Sequence, residues 1–456
     1  MTISLFRHYV RVPLLLLALF EVAAIASAPL LVGWALSRRP PFAQIAIFVV
    51  ACNLCLIAMG LYSAGQRARP LGLLVRIAMA LALAMAIVVL VSFFAPALLP
   101  QRAELLLWGG TAFVLASLGR MVFEKLVPDD IFRRRVLVYG VGSRAASLAA
   151  LRRRTDLRAF AVVGYIPPTG EAPLVPHEQV ISSESDLLVI ARREDVDEIV
   201  VAMEDRRREF PVRTLLECRL AGIEITDLVD FLERETGKVR LDVLNPSWMI
   251  FGEGFKRDPI RRTTKRVCDV AAAVLLLLLT WPIMLVTAIA ILLEDGLRSD
   301  IFYRQRRVGF EGEVFDVLKF RSMRRDAEPD GRPQWASKAD PRVTRVGAVI
   351  RKLRIDELPQ VINVLKGDMS FVGPRPERPE FVSALGDTIP YYIERHCAKP
   401  GITGWAQICY PYGASERDAT EKLQYDLYYV KNHSLLFDLM ILLQTVEIVL
   451  MGKGGR

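Results

Sequence analysis

The stretch RKLRIDELPQVINVLKGDMSFVGPRP, residues 351–376, joins a helical pattern to charged residues that lie before and after it. Apolar residues between positions 358 and 365 recur at helical spacing, and Gly367 follows them as a stop signal. The adjacent acids Asp356 and Glu357 precede this pattern, and Pro359 suits a first turn because first-turn amides have no helical partner. The stretch therefore predicts a helix that begins at the two acids, where free backbone N–H groups favour phosphate.

Arginines flank these two acids. Arg351 precedes them, and Arg375 lies between two prolines that stiffen its backbone. Adjacent helical residues point about 100° apart, so Asp356 and Glu357 are expected to have different roles. An isolated Asp-Glu pair is commonly only a helix cap followed by a first-turn acid. Acids combined with fixed arginines favour metal-assisted phosphoryl chemistry instead.

The distribution of apolar residues predicts a membrane protein. The 456-residue chain is 52% hydrophobic with a net charge of +9. Near the amino terminus its apolar residues gather into runs close to or above the roughly 20 residues that span a bilayer. These runs are residues 12–36, 42–62, 71–99 and 105–123. We expect a four-helix transmembrane domain at residues 1–128, and the excess of basic residues on one side predicts cytoplasmic ends.

Two further expectations concern the first helix of this domain. Ala26-Ser27-Ala28 is similar to a signal-peptide cleavage site, but Pro29 follows it and the apolar run continues, so we expect a retained anchor. Glu21 lies inside the first helix, and we expect it to make a buried polar contact between helices.

Composition also disfavours several classes of site. The six cysteines and four histidines have no spacing typical of disulfides or of zinc, which is consistent with a reduced cytoplasmic setting. Clustered arginines occur without a recognised nucleic-acid-binding motif, so nucleic acid is not an expected partner.

Residues 129–245 alternate short β-rich runs with helical patterns, which predicts a Rossmann-like cytoplasmic α/β domain. Gly140 and Gly142 follow the first strand and open a helix, close to a dinucleotide fingerprint. After the next strand, Pro167 and Pro168 stand where an acid for the ribose is expected. Cofactor binding and a glycine turn that only packs helix on sheet both stay open, with the turn favoured.

A second hydrophobic segment follows a predicted linker at residues 246–264. Residues 270–293 are uncharged and long enough to cross the membrane, but Pro282 lies mid-run and basic residues flank both sides. We expect residues 265–296 to form a re-entrant membrane helix broken at Pro282, with a kinked spanning helix as the alternative. Residues 297–456 are expected to form a mainly helical α/β catalytic domain with a C-terminal amphipathic helix.

Ordered motifs in the second half of the chain resemble those of bacterial polyprenyl-phosphate sugar-1-phosphate transferases, the monotopic phosphoglycosyl transferase superfamily. The motifs are Lys265-Arg266, Lys319-Phe-Arg-Ser-Met323, Asp356-Glu357-Leu-Pro-Gln360, Gly367-Asp-Met-Ser370, Gly373-Pro-Arg-Pro376 and Pro400-Gly-Ile-Thr-Gly404. The amino-terminal half is similar to that of the larger members, which initiate exopolysaccharide, capsule or O-antigen repeat units. One departure is Trp281 before Pro282, where the family's helix break is expected to carry a small residue, often serine.

The resemblance implies a reaction at the cytoplasmic face of the inner membrane. A sugar 1-phosphate would move from a UDP-sugar to undecaprenyl phosphate, with release of UMP. The residue matching Asp356 would attack the phosphate bonded to the sugar and form a covalent aspartyl-phosphosugar intermediate. The residue matching Glu357 would assist the acceptor phosphate, and Mg²⁺ would be held partly by Asp356.

The resemblance also implies a set of substrate contacts and partners. The residues expected to contact phosphate or nucleotide are Lys319, Arg321, Arg351, Arg375, Asp368, Thr403 and Gly404. Expected partners are the UDP-sugar, undecaprenyl phosphate, membrane lipids and a second copy of the chain in a homodimer.

Two other functions fit parts of the sequence. A membrane-bound NAD-dependent nucleotide-sugar epimerase or dehydratase would centre on Gly140 and Gly142, but such enzymes commonly use a tyrosine followed four residues later by lysine. None of the twelve tyrosines has lysine at that offset. A non-catalytic scaffold of polysaccharide assembly would leave the spacing of the acids and basic residues unexplained.

Overall fold

The computed structural model describes most of the chain. The described residues are 2–5, 8–62, 70–96, 100–126, 133–151, 160–181, 186–205, 210–244, 259–296, 300–324, 342–410 and 415–450. They divide into two compact units, Met1–Ile250 and Phe251–Arg456. Of the predicted linker, residues 246–258 lie outside the described ranges, and residues 259–264 already belong to a helix.

The first unit begins with a short antiparallel hairpin and four apolar helices. These elements are β1 (Thr2–Leu5), β2 (His8–Arg11), α1 (Val12–Ala35), α2 (Phe42–Ala58), α3 (Pro70–Phe94) and α4 (Arg102–Leu126). Helices α1, α3 and α4 are long and apolar enough to cross a membrane, whereas α2 is a shorter apolar helix of 17 residues. The positions of the four apolar helices match the predicted runs, and α2 is shorter than predicted.

A buried ion pair joins α1 to α4. The Glu21 carboxylate lies 2.9 Å from Arg120 Nε, and both side chains are almost fully buried. The Tyr62 hydroxyl, just beyond α2, also donates a hydrogen bond to Glu21. The predicted polar contact between helices is therefore confirmed, and the arginine partner explains how an acid is tolerated there.

A four-stranded parallel sheet forms the rest of the first unit. Its strands are β3 (Arg134–Tyr139), β4 (Phe160–Ile166), β5 (Glu198–Val201) and β6 (Glu224–Asp227), in the order β4-β3-β5-β6. The accompanying helices are α5 (Ser143–Ala149), α6 (Leu187–Arg193), α7 (Val212–Leu220) and α8 (Leu228–Thr236). The strands lie within the predicted α/β region, where short apolar, β-branched runs are bounded by turns.

Helices cover both faces of this sheet. Along β3, Val136 and Val138 pack into one hydrophobic cluster with residues of α5 and α8, while Leu137 packs into another with residues of α6 and α7. Such two-sided burial is typical of parallel sheets in α/β proteins. The predicted mixture of helix and sheet is confirmed, whereas a Rossmann-like identity and a ligand stay predictions.

The second unit begins with the 37-residue helix α9 (Pro259–Asp295), also long and apolar enough to cross a membrane. Large apolar side chains such as Leu278, Trp281 and Val286 are exposed along it. The helix continues through Pro282, so the predicted break is not seen as an interruption. Its re-entrant course stays a prediction.

The remaining elements of the second unit surround the stretch 351–376. They are β7 (Phe302–Val308), β8 (Val314–Phe320), α10 (Arg345–Lys352), α11 (Gln360–Lys366), β9 (Ser370–Val372), α12 (Pro379–Thr388), β10 (Gly401–Thr403), α13 (Trp405–Cys409), α14 (Glu416–Asn432) and α15 (Leu435–Leu450). Strands β7 and β8 are antiparallel, and β9 pairs in parallel with β10.

Helix α11 packs against α9 and β8. Its residues Val361 and Val364 are buried with Ala273 of α9 and Val317 of β8. The tail helix α15 is attached to α9 by an ion pair of 2.6 Å between Lys265 Nζ and an Asp438 carboxylate oxygen. These contacts fix the residues before α11 relative to β8.

Candidate active site

The two adjacent acids lie on a single 3-10 turn, Ile355–Glu357. Arg354 precedes the turn in a left-handed conformation with φ 59°, and helix α11 begins only at Gln360. The prediction that the helix begins at the acids is therefore wrong by one turn. Pro359 is the last residue before the helix, and because it has no N–H it separates the turn from the helix proper.

Three cationic side chains converge on Glu357. Its Oε1 atom lies 3.4 Å from Lys319 Nζ, 3.2 Å from an Arg354 guanidinium nitrogen and 3.5 Å from an Arg375 guanidinium nitrogen. Burial opposes ionisation, but Lys319 and the two arginines outweigh it and lower the pKa of Glu357 to about 2. Glu357 is thus a carboxylate throughout the physiological range.

Asp356 has a different environment from its neighbour. It is 8% exposed, and its Oδ1 atom has no hydrogen-bond partner among the residues that the structure describes. Burial raises the pKa of Asp356, and the negative charge of Glu357 adds to this effect. Lys319, Arg354 and Arg351 partly counteract the rise. An unpaired buried carboxylate oxygen close to cations suits attack on a phosphate.

Lys319 reaches the acids from β8. Burial lowers the pKa of its ammonium group, while Glu357 opposes the shift. The strand is tied to α11 by Asn363, which accepts a 3.0 Å hydrogen bond from the Leu318 N–H and donates one of 2.7 Å to the Asp316 carbonyl. Sequence reasoning did not single out Asn363, although an amide inside an apolar helical stripe is a usable signal.

The structure places the other predicted residues at varying positions around the acids. Arg351, at the end of α10, acts on Asp356 through its charge, and Arg321 is buried just after β8. Asp368 lies beyond the opposite end of α11, where it accepts a hydrogen bond of 3.3 Å from Asn363. The structure thus brings Lys319, Arg351 and Arg375 to the acids and leaves Asp368 at the far end of the helix.

Thr403 and Gly404 support the segment that carries Arg375. The Thr403 hydroxyl lies 2.8 Å from the Thr445 hydroxyl, so it is directed at the tail helix. A Cβ on Gly404 would lie 2.2 Å from the Gly373 carbonyl oxygen. The glycine therefore allows two backbone segments to approach closely.

The acids of this site suit magnesium only in combination with substrate oxygens. In the described ranges no three His, Cys, Asp or Glu side chains lie close enough to hold a metal by themselves. Mg²⁺ in phosphoryl-transfer sites is commonly held by one or two carboxylates together with substrate phosphates. The unpartnered Oδ1 of Asp356 fits that mode of binding.

The glycine fingerprint of the first unit is already occupied by the protein's own carboxylates. The Val141 N–H donates to Glu171 at 3.0 Å, and the Ser143 N–H donates to Glu204 at 2.5 Å. A Cβ on Gly142 would lie within 2.8 Å of both carboxylates. The amides that would bind a dinucleotide pyrophosphate are thus engaged, which favours the turn over the cofactor site.

Comparisons with known proteins agree with the motifs of the second unit. The family model described as "Bacterial sugar transferase" matches residues 260–452. A glucose-1-phosphate transferase of Xanthomonas campestris pv. campestris, named UDP-glucose:undecaprenyl-phosphate glucose-1-phosphate transferase, is 31% identical over 361 residues, which are 75% of this chain and 73% of that protein.

The chain belongs to the bacterial sugar transferase family. The predicted family and transferase class are therefore confirmed.

Two further relatives differ in the sugar that their names specify. The UDP-N-acetylgalactosamine-undecaprenyl-phosphate N-acetylgalactosaminephosphotransferase of Aeromonas hydrophila is 44% identical over 244 residues, 54% of this chain and 56% of that protein. The undecaprenyl-phosphate glucose phosphotransferase of Komagataeibacter xylinus is 32% identical over 345 residues, 74% of this chain and 62% of that protein. The matched part of the chain thus spans less than two thirds of the length of each of these two relatives.

Proposed function

We propose that this chain transfers a sugar 1-phosphate from a UDP-sugar to undecaprenyl phosphate, releases UMP and thereby initiates an exopolysaccharide, capsule or O-antigen repeat unit. The observation that carries the proposal is the pairing of a buried Asp356, with one unpartnered oxygen, and a Glu357 held by three cations. The relatives are named for undecaprenyl-phosphate sugar transfer, which supports the same reaction here.

In the first half-reaction Asp356 acts as the nucleophile. A carboxylate oxygen attacks the phosphorus bonded to the sugar, the bond from that phosphorus to the bridging oxygen breaks, and UMP leaves with the electron pair. Lys319, Arg351 and Arg375 surround the acids and would neutralise the diphosphate oxygens as charge moves to UMP. Burial of Asp356 weakens its solvation and makes it a better nucleophile than an exposed aspartate.

In the second half-reaction undecaprenyl phosphate takes the sugar phosphate. An oxygen of the lipid phosphate attacks the same phosphorus, the bond to Asp356 breaks, and the free carboxylate is restored. Because the pKa of Glu357 is about 2, this residue is a weak base. Its assistance to the acceptor would come from holding Lys319, Arg354 and Arg375 in position for the lipid phosphate.

Mg²⁺ would be held by Asp356 together with diphosphate oxygens, and when bound it would offset negative charge at the transferred phosphate. The proposed substrates also indicate the membrane and the side of it on which the chain acts. We place the chain in the bacterial inner membrane with both its α/β domain and its catalytic domain in the cytoplasm, where nucleotide sugars are made. A homodimer stays a prediction of the resemblance.

The decisive experiment measures UMP release from a panel of UDP-sugars by the full chain in nanodiscs with undecaprenyl phosphate and magnesium. We expect release with one class of sugar, and a loss of at least about 10³-fold for Asp356→Asn. A donor labelled in the sugar phosphate should label the wild-type chain when the lipid acceptor is omitted, but not the Asp356→Asn variant. Unchanged release by Asp356→Asn would contradict the proposed nucleophile.

A further inference from the structure

The segment 374–377, which carries Arg375, has no regular secondary structure, yet four successive carbonyl oxygens in it accept hydrogen bonds. The Pro374 carbonyl accepts from the Gly401 N–H at 3.0 Å, and the Glu377 carbonyl accepts from the Val308 N–H at 2.9 Å. Backbone groups of β10 and β7 therefore hold the two ends of the segment.

The two middle carbonyls are held by guanidinium groups instead. Arg395 donates to the Arg375 carbonyl at 2.9 Å, and Arg307 donates to the Pro376 carbonyl at 3.0 Å. The prolines on both sides of Arg375 have fixed φ angles and no N–H groups. They therefore cannot donate the backbone hydrogen bonds that would hold this segment in a regular β-strand pairing. Side chains distant in sequence therefore hold the backbone at Arg375 and Pro376.

Arg395 is itself held rigidly. It is 6% exposed, and it donates to Asp426 of α14 at 2.7 Å and to the Tyr392 hydroxyl at 2.9 Å. Its guanidinium carbon lies 5.2 Å from the centre of the Tyr392 ring. A planar guanidinium can satisfy a carboxylate, a hydroxyl and a carbonyl at once, whereas an ammonium group cannot reproduce this geometry.

We propose that Arg395, supported by Asp426, is a positioning residue that sets the direction of Arg375 toward Glu357 and the donor diphosphate. This inference rests on the proposed function, because it assigns to Arg395 an effect on phosphate transfer exerted only through Arg375. The chain of contacts runs from Asp426 to Arg395, to the Arg375 carbonyl, and from the Arg375 guanidinium to Glu357 at 3.5 Å.

A double-mutant cycle in the full chain tests this coupling. We expect Arg395→Lys to lower kcat/KM for the UDP-sugar by about 10- to 100-fold, since small misplacements of a binding group are costly. In an Arg375→Ala background the same substitution should lower kcat/KM by less than about 2-fold, because the group that it positions is gone. Tyr392→Phe, which removes one acceptor but keeps the ion pair, should give a smaller decrease that also disappears in that background.

Arg266→Lys is the matched control. Arg266 also donates to two backbone carbonyls, those of Val364 and Leu365, but at the far end of α11. Any decrease that it causes should be equal in the wild-type and Arg375→Ala backgrounds. A merely structural role for Arg395 would give that same additive pattern.

Different results would contradict the positioning role of Arg395 and the proposed transfer reaction. If Arg375→Ala lowers transfer and Arg395→Lys lowers it equally in both backgrounds, the positioning role is wrong and the proposed function stands. If Arg375→Ala leaves the rate of UMP release unchanged, Arg375 does not contact the reacting phosphates. Arg395 then has nothing to position, so the positioning role is wrong, whereas the proposed nucleophile is still decided by Asp356→Asn.

Discussion

Two regions of the molecule hold carboxylates in places suited to phosphate, and they do so by opposite means. At the candidate active site, Lys319, Arg351, Arg354 and Arg375 act on the two acids, so positive charge exceeds negative charge. At the glycine loop of the α/β domain, Glu171 and Glu204 are bound by neutral backbone amides. The nearby Arg144 is itself close to an aspartate.

The two regions differ in how readily a phosphate group could reach a binding partner. Under the proposed function, a diphosphate would be attracted to the first region because more cations than acids act there. In the second region, a phosphate would have to displace two carboxylates from the Val141 and Ser143 amides, without a gain in charge neutralisation. The carboxylate of Glu357 is in contact with three cations, whereas the loop carboxylates accept hydrogen bonds from backbone amides.

The largest effect that would test this comparison comes from Lys319. We expect Lys319→Met to lower kcat/KM by about 10²- to 10³-fold, because it removes a buried positive charge beside the reacting phosphate. Lys399→Met is the control, since Lys399 binds the Gly367 carbonyl at 2.7 Å beyond the other end of α11. UMP release should separate the two variants by at least about 10-fold. Equal losses would mean that positive charge near the acids has no special role.

The pH dependence of transfer tests the charge environment of the candidate active site more closely. The raised pKa of Asp356 means that transfer falls on acidification at a higher pH than for an ordinary aspartate. The lowered pKa of Lys319 means that transfer falls on the alkaline side below the usual lysine range. We expect a bell-shaped profile of kcat/KM. In Lys319→Arg the alkaline limb should move upward, and a profile identical to that of the wild type would contradict the assignment.

Glu357 should also affect stability at low pH. Its pKa is about 2 in the folded chain against an ordinary 4.5, so its ionised form stabilises the fold above about pH 4.5, and this contribution is lost as the pH falls toward 2. Glu357→Gln should therefore show a flatter dependence of Tm on pH in this acid range than the wild type. Parallel curves for the two proteins would mean that the three cations do not stabilise the carboxylate.

The smallest effect is expected at the glycine loop. Glu204 is exposed, so Glu204→Gln should reduce stability by less than about 1 kcal/mol, measured as a shift in thermal unfolding. Neither the wild type nor this variant should bind NADH in a fluorescence titration. Binding in the micromolar range by the wild type would show that the loop opens, and the contrast between the two regions would no longer hold.

Parts of this protein follow from local sequence patterns alone. The lengths of the apolar runs predicted the helices near the amino terminus, since spanning a bilayer needs only consecutive apolar residues. Turn-bounded β-branched runs predicted the strands of the parallel sheet. The proximity of Arg351 to Asp356 also followed from the sequence, because residues five apart on adjacent turns stay close in space.

The tertiary structure decided which charges meet. Glu357 meets Lys319 because Asn363 and buried residues such as Val361 fix α11 against β8. That register depends on packing between segments far apart in the chain, which no local pattern contains. For the same reason, sequence reasoning did not single out Arg395, which donates to the Arg375 carbonyl, or the contact between the hydroxyls of Thr403 and Thr445. Local spacing thus predicts the elements and the candidate reactive residues, and long-range packing determines the environment of those residues.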